Sequence, residues 1–272
     1  MTATATTAAP AVRPVTPRVT VPEGLRQTLT LAWRTLVQIR HNPYELLDMS
    51  IQPIMFVLLF TYVFGGAVAG STGSYLTYAL PGIIVMNMLF VTMYVGLGLN
   101  TDLTKGVFDR LRSLPIARWA PLAGRIMADL VKQAWSIVLL LVVGFILGFR
   151  LGTNVWGLLG MAALLLAFAL AFSWISVLVG VVAKDPEKVQ VFGFTALFPV
   201  TFVSNVFVPV ESMPGWLQPV VNANPTSVLA DAARGMTIGG PVARPLLYSV
   251  LWAIGIVLVF APLAVARFKR RV

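Results

Sequence analysis

The chain has 272 residues, of which 58% are hydrophobic and only 11% are charged, and 20 Lys and Arg against 10 Asp and Glu give a net charge of +10. In soluble globular proteins about a quarter of the residues are charged, so this composition excludes that class. The absence of cysteine excludes disulfides, thiolate catalysis and cysteine-ligated metals. Several apolar runs reach the roughly 20 residues needed to cross about 30 Å of hydrocarbon. The composition therefore predicts an all-α polytopic membrane protein.

The N-terminal part of the chain divides into a tail and an amphipathic helix. Residues 1–22 are rich in Thr, Ala, Pro and Val and lack the continuous apolar stretch of a secretory signal, so we predict a disordered tail. Residues 24–41 have the apolar periodicity of a helix, with basic and polar residues on the opposite side. The apolar side includes Leu25, Leu29, Trp33 and Leu36. This pattern predicts a helix that lies in the plane of the membrane interface.

Six apolar segments follow, and we predict that they cross the membrane as one transmembrane domain over residues 23–272. The six predicted spans are residues 46–64, 75–99, 126–149, 155–183, 189–208 and 246–265. The stretch between the last two, residues 213–240, is too polar and too often interrupted by proline to be a seventh span. Its Pro214-Gly215-Trp216 and Asn224-Pro225 sequences predict the starts of two short helices. We therefore expect a re-entrant or interfacial hairpin before the last span.

The longest polar interruption between the spans is residues 100–125, and it contains a short amphipathic pattern. Residues 106–114 place apolar side chains on one face and charged ones on the other, between Gly106 and the helix-terminating Pro115. The apolar face includes Phe108 and Leu111, and the opposite face carries Asp109, Arg110, Arg112 and Ser113. So short a helix cannot cross a bilayer. We expect it to lie at the membrane surface and to present its charges to a partner; a solvated connecting loop is the alternative.

The distribution of basic residues predicts the orientation. Of the 20 Lys and Arg residues, 17 lie before span 1, between spans 2 and 3 or at the start of span 3, between spans 4 and 5, or after span 6. The other side carries three, Arg150, Arg234 and Arg244. The positive-inside rule places the more basic side, with both termini, in the cytoplasm. Because the basic residues lie at the ends of spans, we interpret them as topology signals and expect no binding of nucleic acid.

The sequence lacks the residues that catalysis or ion coupling would need. It has no phosphate-binding GxxxxGK[ST] loop, no catalytic triad and a single histidine, so we predict neither catalytic nor metal-binding residues. Asp129 and Lys132 lie one turn apart near the start of span 3, where we expect them to be paired or to snorkel. A proton-coupled drug efflux carrier is the alternative function, but its membrane acid would have to be Glu45 or Asp48, at the entrance of span 1.

Two stretches of the chain closely resemble the membrane subunits of type-2 ABC exporters, and within these the daunorubicin/doxorubicin-resistance permease group of actinobacteria. They are GVFDRLRSLPIARWAPLAGRIMADL and FPVTFVSNVFVPVESMPGWLQPVVNANPTSVLADAARG. The resemblance extends over residues 25–268. It implies a non-enzymatic permease in the bacterial plasma membrane that exports a hydrophobic or amphipathic compound, such as a drug, a polyketide antibiotic or a lipid-linked molecule.

The same resemblance implies partners and roles. The permease would work as two identical copies with two copies of a separate ATPase, which binds ATP and Mg, so this chain would bind no cofactor itself. Residues 106–114 would be the coupling helix that docks on the ATPase. Residues 24–41 would be the interfacial gating helix, and residues 213–240 the external re-entrant hairpin.

The residues that could contact the exported compound lie in the middle of spans 2 and 5. These candidates are Met86, Asn87, Phe90, Phe202 and Asn205. Polar residues within a span more often form hydrogen bonds to other helices than contacts to a ligand. The sequence leaves both interpretations open for Asn87 and Asn205.

Overall fold

The computed structural model describes residues 20–41, 43–108, 116–117 and 119–271, and within these ranges every regular element is helical. The helices are α1 Val21–His41, α2 Pro43–Leu59, α3 Gly65–Ala69, α4 Thr72–Thr104, α5 Ala120–Ile146, α6 Val155–Val182, α7 Pro186–Phe202, α8 Gln218–Ala223, α9 Pro225–Ile238 and α10 Ala243–Arg271. A π-helical segment, Phe60–Phe64, joins α2 to α3, and a 3-10 turn, Val210–Ser212, precedes α8. The predicted all-α class is confirmed. Residues 1–19, most of the predicted tail, lie outside the described residues.

Five helical stretches in the described part of the chain are long and apolar enough to cross a membrane. They are Ser50–Ala69, Thr72–Thr104, Ala120–Ile146, Val155–Val182 and Ala243–Arg271. These five stretches overlap predicted spans 1, 2, 3, 4 and 6, and several extend beyond the predicted ends because polar residues continue the same helix. The protein is therefore a multi-pass membrane protein.

The segment predicted as span 5, residues 189–208, is helical only as far as Phe202. Helix α7 has 17 residues and is about 25 Å long at 1.5 Å per residue, less than the thickness of a hydrocarbon core. The following residues, 203–209, are irregular. Pro199 lies inside α7, where its missing N–H removes one helical hydrogen bond. A sixth crossing is thus not confirmed by this helix and stays a prediction.

Side-chain hydrogen bonds hold both ends of α7. The Asn224 side chain donates to the carbonyl oxygens of Val200 and Val203, at 2.7 and 2.6 Å, and so satisfies groups that the broken helix leaves free. At the other end the Asp185 carboxylate accepts the backbone N–H of Lys188 at 2.9 Å and caps the helix. Hydrogen bonds from the side chain and backbone of Lys188 lower the pKa of Asp185 from its ordinary value.

Helix α4 lies at the centre of the bundle and packs against α2, α5, α6, α7 and α9. Its crossing with α6 is close because both helices have a glycine at the contact. A Cβ on Gly96 would overlap the carbonyl oxygen of Ser176, and a Cβ on Gly180 would overlap the carbonyl oxygen of Gly96. Small residues of this kind let helix backbones approach each other in membranes. The main hydrophobic core surrounds α4.

The two ends of the bundle are named here by the elements that they contain. We use "terminal side" for the end that holds α1, residues 105–108 and the last turn of α10, and "hairpin side" for the end that holds α8 and α9. On the hairpin side α9 is almost wholly buried against α4, α6 and α10. Asn224 caps its start by accepting the N–H of Thr226 at 2.9 Å, and Gly239 follows its end with a φ of 96°. Two helices are present here as expected, but the first begins at Gln218, after the predicted start at Pro214-Gly215-Trp216.

Candidate transport site

A cavity of about 100 Å³ opens between α2, α4 and α7. Four of the five predicted path residues line it, namely Met86, Asn87, Phe90 and Phe202. Helix α4 presents the first three on one face, because residues three and four apart in a helix are neighbours. Helix α7 contributes Phe202 from the opposite wall, and α2 contributes Phe56. The structure therefore brings together candidates from predicted spans 2 and 5.

Much of the cavity wall is aromatic. Phe90 faces Phe194 with ring centroids 5.5 Å apart, and Phe198 stacks on Phe202 at 4.2 Å. The row continues beyond the cavity from Phe202 to Phe207, at 5.2 Å. Aromatic rings offer large apolar surfaces and favour stacked or edge-on contacts. The wall is thus suited to a flat, apolar group.

Asn87 is a polar group on this wall, and α5 holds it in place. Its side-chain amide donates to the Ser136 hydroxyl at 2.6 Å. One turn away, the Gln133 amide donates to the Met88 carbonyl at 2.9 Å and to the Thr92 hydroxyl at 2.7 Å. The interpretation that Asn87 forms a hydrogen bond to another helix is therefore confirmed. Because the same side chain also lines the cavity, its orientation towards a bound compound would be fixed by α5.

The structure does not bring Asn205 to the cavity. Its side-chain amide donates to the Asp231 carboxylate at 2.7 Å, and its backbone N–H donates to the Ser227 hydroxyl at 3.1 Å. Both partners belong to α9. Asn205 thus joins the irregular segment 203–209 to the hairpin side, and the sequence could not show this because the partners are distant along the chain.

Asn205 belongs to a cluster around Arg234, a residue that the sequence marked only as one of three basic groups on the less basic side. Arg234 is 6% exposed. Its guanidinium donates to the carbonyl oxygens of Tyr78 at 2.9 Å, Asn205 at 2.7 Å and Val206 at 3.2 Å. It also contacts Asp231 at 3.1 Å. One buried cation therefore ties α4, α9 and segment 203–209 together, and the i,i+3 spacing of Asp231 and Arg234 was its one signal in the sequence.

The guanidinium also lies 3.9 Å from the centre of the Tyr78 ring, and the Tyr78 hydroxyl donates to the Asn205 carbonyl at 2.7 Å. Gly82 leaves room for this arrangement: a Cβ there would come within 3.0 Å of the guanidinium and 2.9 Å of the Val206 carbonyl. A cation on an aromatic face and charge-assisted hydrogen bonds are among the stronger polar contacts. The cluster therefore holds the segments of the hairpin side together.

On the terminal side, α1 packs against α5 through small residues. Thr28 and Ala32 are buried, and a Cβ on Gly124 of α5 would come within 2.9 Å of the Thr28 carbonyl oxygen. The predicted apolar stripe turns away from the bundle: Leu25, Leu29 and Trp33 are exposed and Leu36 is half-buried. An exposed apolar stripe at the edge of a membrane bundle is suited to lipid.

Two ion pairs lie where α4 and α5 meet on the terminal side. Arg125 contacts Asp102 at 2.7 Å, and this pair is partly exposed. Deeper in α5, Lys132 lies 3.6 Å from Asp129, and both side chains are buried. The predicted pairing of Asp129 with Lys132 is confirmed. A buried charge is costly unless it has a partner, which is why the two occur together.

The predicted coupling segment is described only at its beginning. Gly106 has a φ of 67° and ends α4 in the left-handed region. Phe108 is buried in a second hydrophobic core with Leu99, Leu122 and Val181. The remaining predicted residues lie outside the described residues; they are Asp109, Arg110, Leu111, Arg112, Ser113 and Pro115.

The long apolar helices define a multi-pass membrane protein, and sequence comparison identifies its family. Residues 26–238 match the ABC-2 type transporter family, so the chain belongs to that family. Over 244 residues it is 40% identical to the "Daunorubicin resistance ABC transporter permease protein DrrB1" of Streptomyces coeruleorubidus, covering 90% of this chain and 86% of that protein. The predicted family is confirmed.

A second relative extends the same relationship. Over 250 residues the chain is 28% identical to the "Probable doxorubicin resistance ABC transporter permease protein DrrC" of Mycobacterium tuberculosis, and the match covers 88% of this chain and 87% of that protein. Both matches extend over nearly the whole length of the chain.

Proposed function

We propose that the protein is the membrane-spanning subunit of an ATP-driven exporter that moves a hydrophobic or amphipathic compound, of the anthracycline drug type, out of a bacterial cell. The observation that carries the proposal is the 40% identity to a daunorubicin resistance permease over nearly the whole chain. The aromatic cavity between α2, α4 and α7 supports it, since its wall suits a flat apolar group. A polyketide antibiotic or a lipid-linked molecule belongs to the same chemical range.

The energy would come from a partner. The sequence contains no phosphate-binding loop, so ATP and Mg would be bound by a separate ATPase subunit, in two copies. A cavity of about 100 Å³ is smaller than the ~300–1,000 Å³ of sites for drug-sized ligands. A second, identical permease copy that completes the wall would enlarge the cavity towards this volume. Helix α7 offers exposed apolar residues for such a contact, among them Val191 and Phe192.

The orientation follows from charge and is part of the proposal. The terminal side carries most of the basic residues and would face the cytoplasm. The segment 106–114 would then be the coupling helix that docks on the ATPase, α1 would lie in the cytoplasmic interface, and α8 and α9 would form the external re-entrant hairpin. The burial of α9 among α4, α6 and α10 supports the last role, since backbone at membrane depth must be covered by protein.

A proton-coupled carrier is the second candidate, because the structure contains a buried carboxylate, Asp129. Its partner Lys132 lies 3.6 Å away, so the two side chains form an ion pair within α5. A buried ion pair of this kind compensates two charges, and this structural role needs no proton transfer. The two candidates differ in what drives transport.

The test uses inverted membrane vesicles that contain the permease and its ATPase, with doxorubicin as the probe. We expect accumulation of doxorubicin that requires ATP hydrolysis and persists in the presence of a protonophore. Accumulation driven by a proton gradient without the ATPase would contradict the proposal and support the carrier.

The coupling segment is tested by charge reversal. Arg110→Glu combined with Arg112→Glu should abolish co-purification of the ATPase and doxorubicin-stimulated ATP hydrolysis, because guanidinium groups suit acidic and carbonyl acceptors on a partner. Lys269→Glu with Arg270→Glu makes the same charge change at two exposed positions on the terminal side and serves as the control for insertion. A double arginine variant that still binds its ATPase and transports normally would show that these arginines are not the docking residues.

A further inference from the structure

The last turn of α10 meets the beginning of the coupling segment in the second hydrophobic core. Phe268 lies edge-on to Phe108, with ring centroids 5.4 Å apart and an interplanar angle of 78°. Phe108 is 8% exposed, and residues from α4, α5, α6 and α10 surround it. Edge-on aromatic pairs have a preferred geometry as well as apolar contact. Phe108 and the end of α10 are therefore in direct contact.

The same turn of α10 also holds the end of α6. The Arg271 guanidinium donates to the carbonyl oxygens of Val181 and of Ala183, the latter at 2.8 Å. From the other direction the Asn100 amide of α4 donates to the carbonyl oxygens of Gly180 and Ala183, both at 2.8 Å. The last carbonyl groups of a helix have no partner within the helix and carry partial negative charge, so a guanidinium is well suited to them.

These contacts connect the beginning of the coupling segment to the cavity wall. Ala183 is followed after one residue by Asp185, the cap of α7, and α7 carries Phe194, Phe198 and Phe202 into the cavity wall. From Phe108 the contacts lead through Phe268 and Arg271 to the end of α6, and from there along the chain to the cavity. Each step is a packed ring, a charge-assisted hydrogen bond or a short covalent link.

We propose that Phe268 and Arg271 are positioning residues for energy coupling: the last turn of α10 seats Phe108 and fixes the end of α6, so that movement of the coupling segment reaches α7. This inference rests on the proposed function, because it assigns a role to contacts of the coupling segment. It adds the last turn of α10 to the residues that couple the ATPase to transport. Neither residue contacts the exported compound in this scheme.

The neighbouring residues provide matched controls. Lys269 and Arg270 are exposed, and neither forms a hydrogen bond or ion pair to another residue of the described chain. Arg270→Met and Arg271→Met remove the same charge from adjacent positions of one helix. A general effect of charge on insertion or orientation would appear in both variants, whereas an effect of the contact with α6 would appear only in the second.

The contact itself can be tested without reference to transport. Because the chain has no cysteine, Phe108→Cys and Phe268→Cys create a single pair of thiols. We expect a short bifunctional thiol reagent to cross-link them within one chain in membranes, and Phe108→Cys with Lys269→Cys to cross-link far less. Absence of a cross-link in the first pair would overturn the inference at its structural step.

The role is tested with the permease and its ATPase in vesicles, and doxorubicin as the probe. Arg271→Met and Phe268→Ala should retain permease abundance, co-purification of the ATPase and basal hydrolysis, yet lower doxorubicin-stimulated hydrolysis and transport by roughly fivefold or more. Arg271→Lys should restore part of the stimulation, because an ammonium still donates to the carbonyl oxygens. Arg270→Met should behave as wild type.

Two results would overturn the inference. One is normal stimulation in Arg271→Met and Phe268→Ala. The other is a loss of stimulation that only parallels a loss of permease abundance, which would mean that the turn merely stabilises the fold. Failure of the proposed function is distinguishable, because the wild-type permease would then show no ATP-dependent transport at all.

Discussion

Phe90 and Asn205 illustrate what a sequence shows about single residues in a membrane protein. Both lie within apolar segments and both were candidates for contact with the exported compound. The structure places Phe90 on the cavity wall and Asn205 in the Arg234 cluster, bonded to Asp231. An isolated polar residue in a span indicates that some partner exists. Which partner it is depends on tertiary contacts with α9, and the sequence pattern does not contain them.

This difference leads to contrasting phenotypes. Phe90→Ala should change the order of preference among several hydrophobic compounds, because it removes a ring from the cavity wall. Asn205→Ala should lower transport of all of them to a similar extent. The Asn205→Ala change removes one hydrogen bond to the Asp231 carboxylate. Hydrogen bonds to charged groups contribute about 1.5–3 kcal/mol. Transport of doxorubicin and of two chemically different dyes measures both effects.

Trp252→Ala is the control for this comparison, because Trp252 is an exposed ring on α10, a helix that does not line the cavity. We expect it to keep the wild-type order of preference. A uniform loss in Phe90→Ala, with a changed order in Asn205→Ala, would reverse the assignment of the two residues.

At the scale of elements, periodicity predicted the helix α1 and its apolar stripe, but not the face by which α1 contacts the bundle. Residues 24–41 were expected to form an amphipathic helix, and α1 covers them. The contact with α5 uses Thr28 and Ala32, which are too small and too weakly apolar to stand out in a pattern. Close packing against Gly124 makes small size the relevant property. Complementarity of this kind involves two helices and is invisible in either one alone.

The exposed stripe of α1 can be tested with adjacent positions. Leu29→Asp should reduce transport with little change in the amount of inserted permease, since an apolar side chain that inserts among acyl chains contributes about 1.5–3 kcal/mol when buried. Thr30→Asp adds the same charge one residue away, at an exposed position on the polar side, and should have little effect. Doxorubicin transport and permease abundance in membranes are the measurements.

Equal transport in Leu29→Asp and wild type would mean that the stripe is in water. In that case α1 would be an ordinary surface helix held only by its contact with α5. Equal losses in Leu29→Asp and Thr30→Asp would point to the added negative charge and not to the lost apolar contact.

At the scale of the whole molecule, five long apolar helices were predictable because a hydrocarbon core imposes length and apolarity on any helix that crosses it. The end of α7 was not. The predicted span continued to residue 208, whereas the helix ends at Phe202, where Pro199 weakens it and Asn224 binds the carbonyl groups of Val200 and Val203. Hydropathy counts apolar residues and cannot detect a polar side chain from another segment that stabilises a helix end.

The orientation of the protein in the membrane is the prediction with the most consequences, because the roles of α1, of segment 106–114 and of α8 and α9 all depend on it. It rests on 17 basic residues against three. The chain has no cysteine, so single cysteines can report which side is accessible. Gly73 and Gly215 are suitable on the hairpin side, since a Cβ at either position meets no atom within 4 Å. Thr104 and Lys184 are exposed on the terminal side.

We expect Gly73→Cys and Gly215→Cys to react with a membrane-impermeant maleimide on intact cells, and Thr104→Cys and Lys184→Cys to react only after permeabilisation. The physical reason is that Lys and Arg near the ends of spans are retained on the cytoplasmic side during insertion. Transport by each single-cysteine permease must be retained, so that the labelled molecules are the functional ones. Labelling of position 104 on intact cells would show that the orientation is the reverse of the predicted one. The coupling segment would then lie outside the cell, where it could not contact an ATPase.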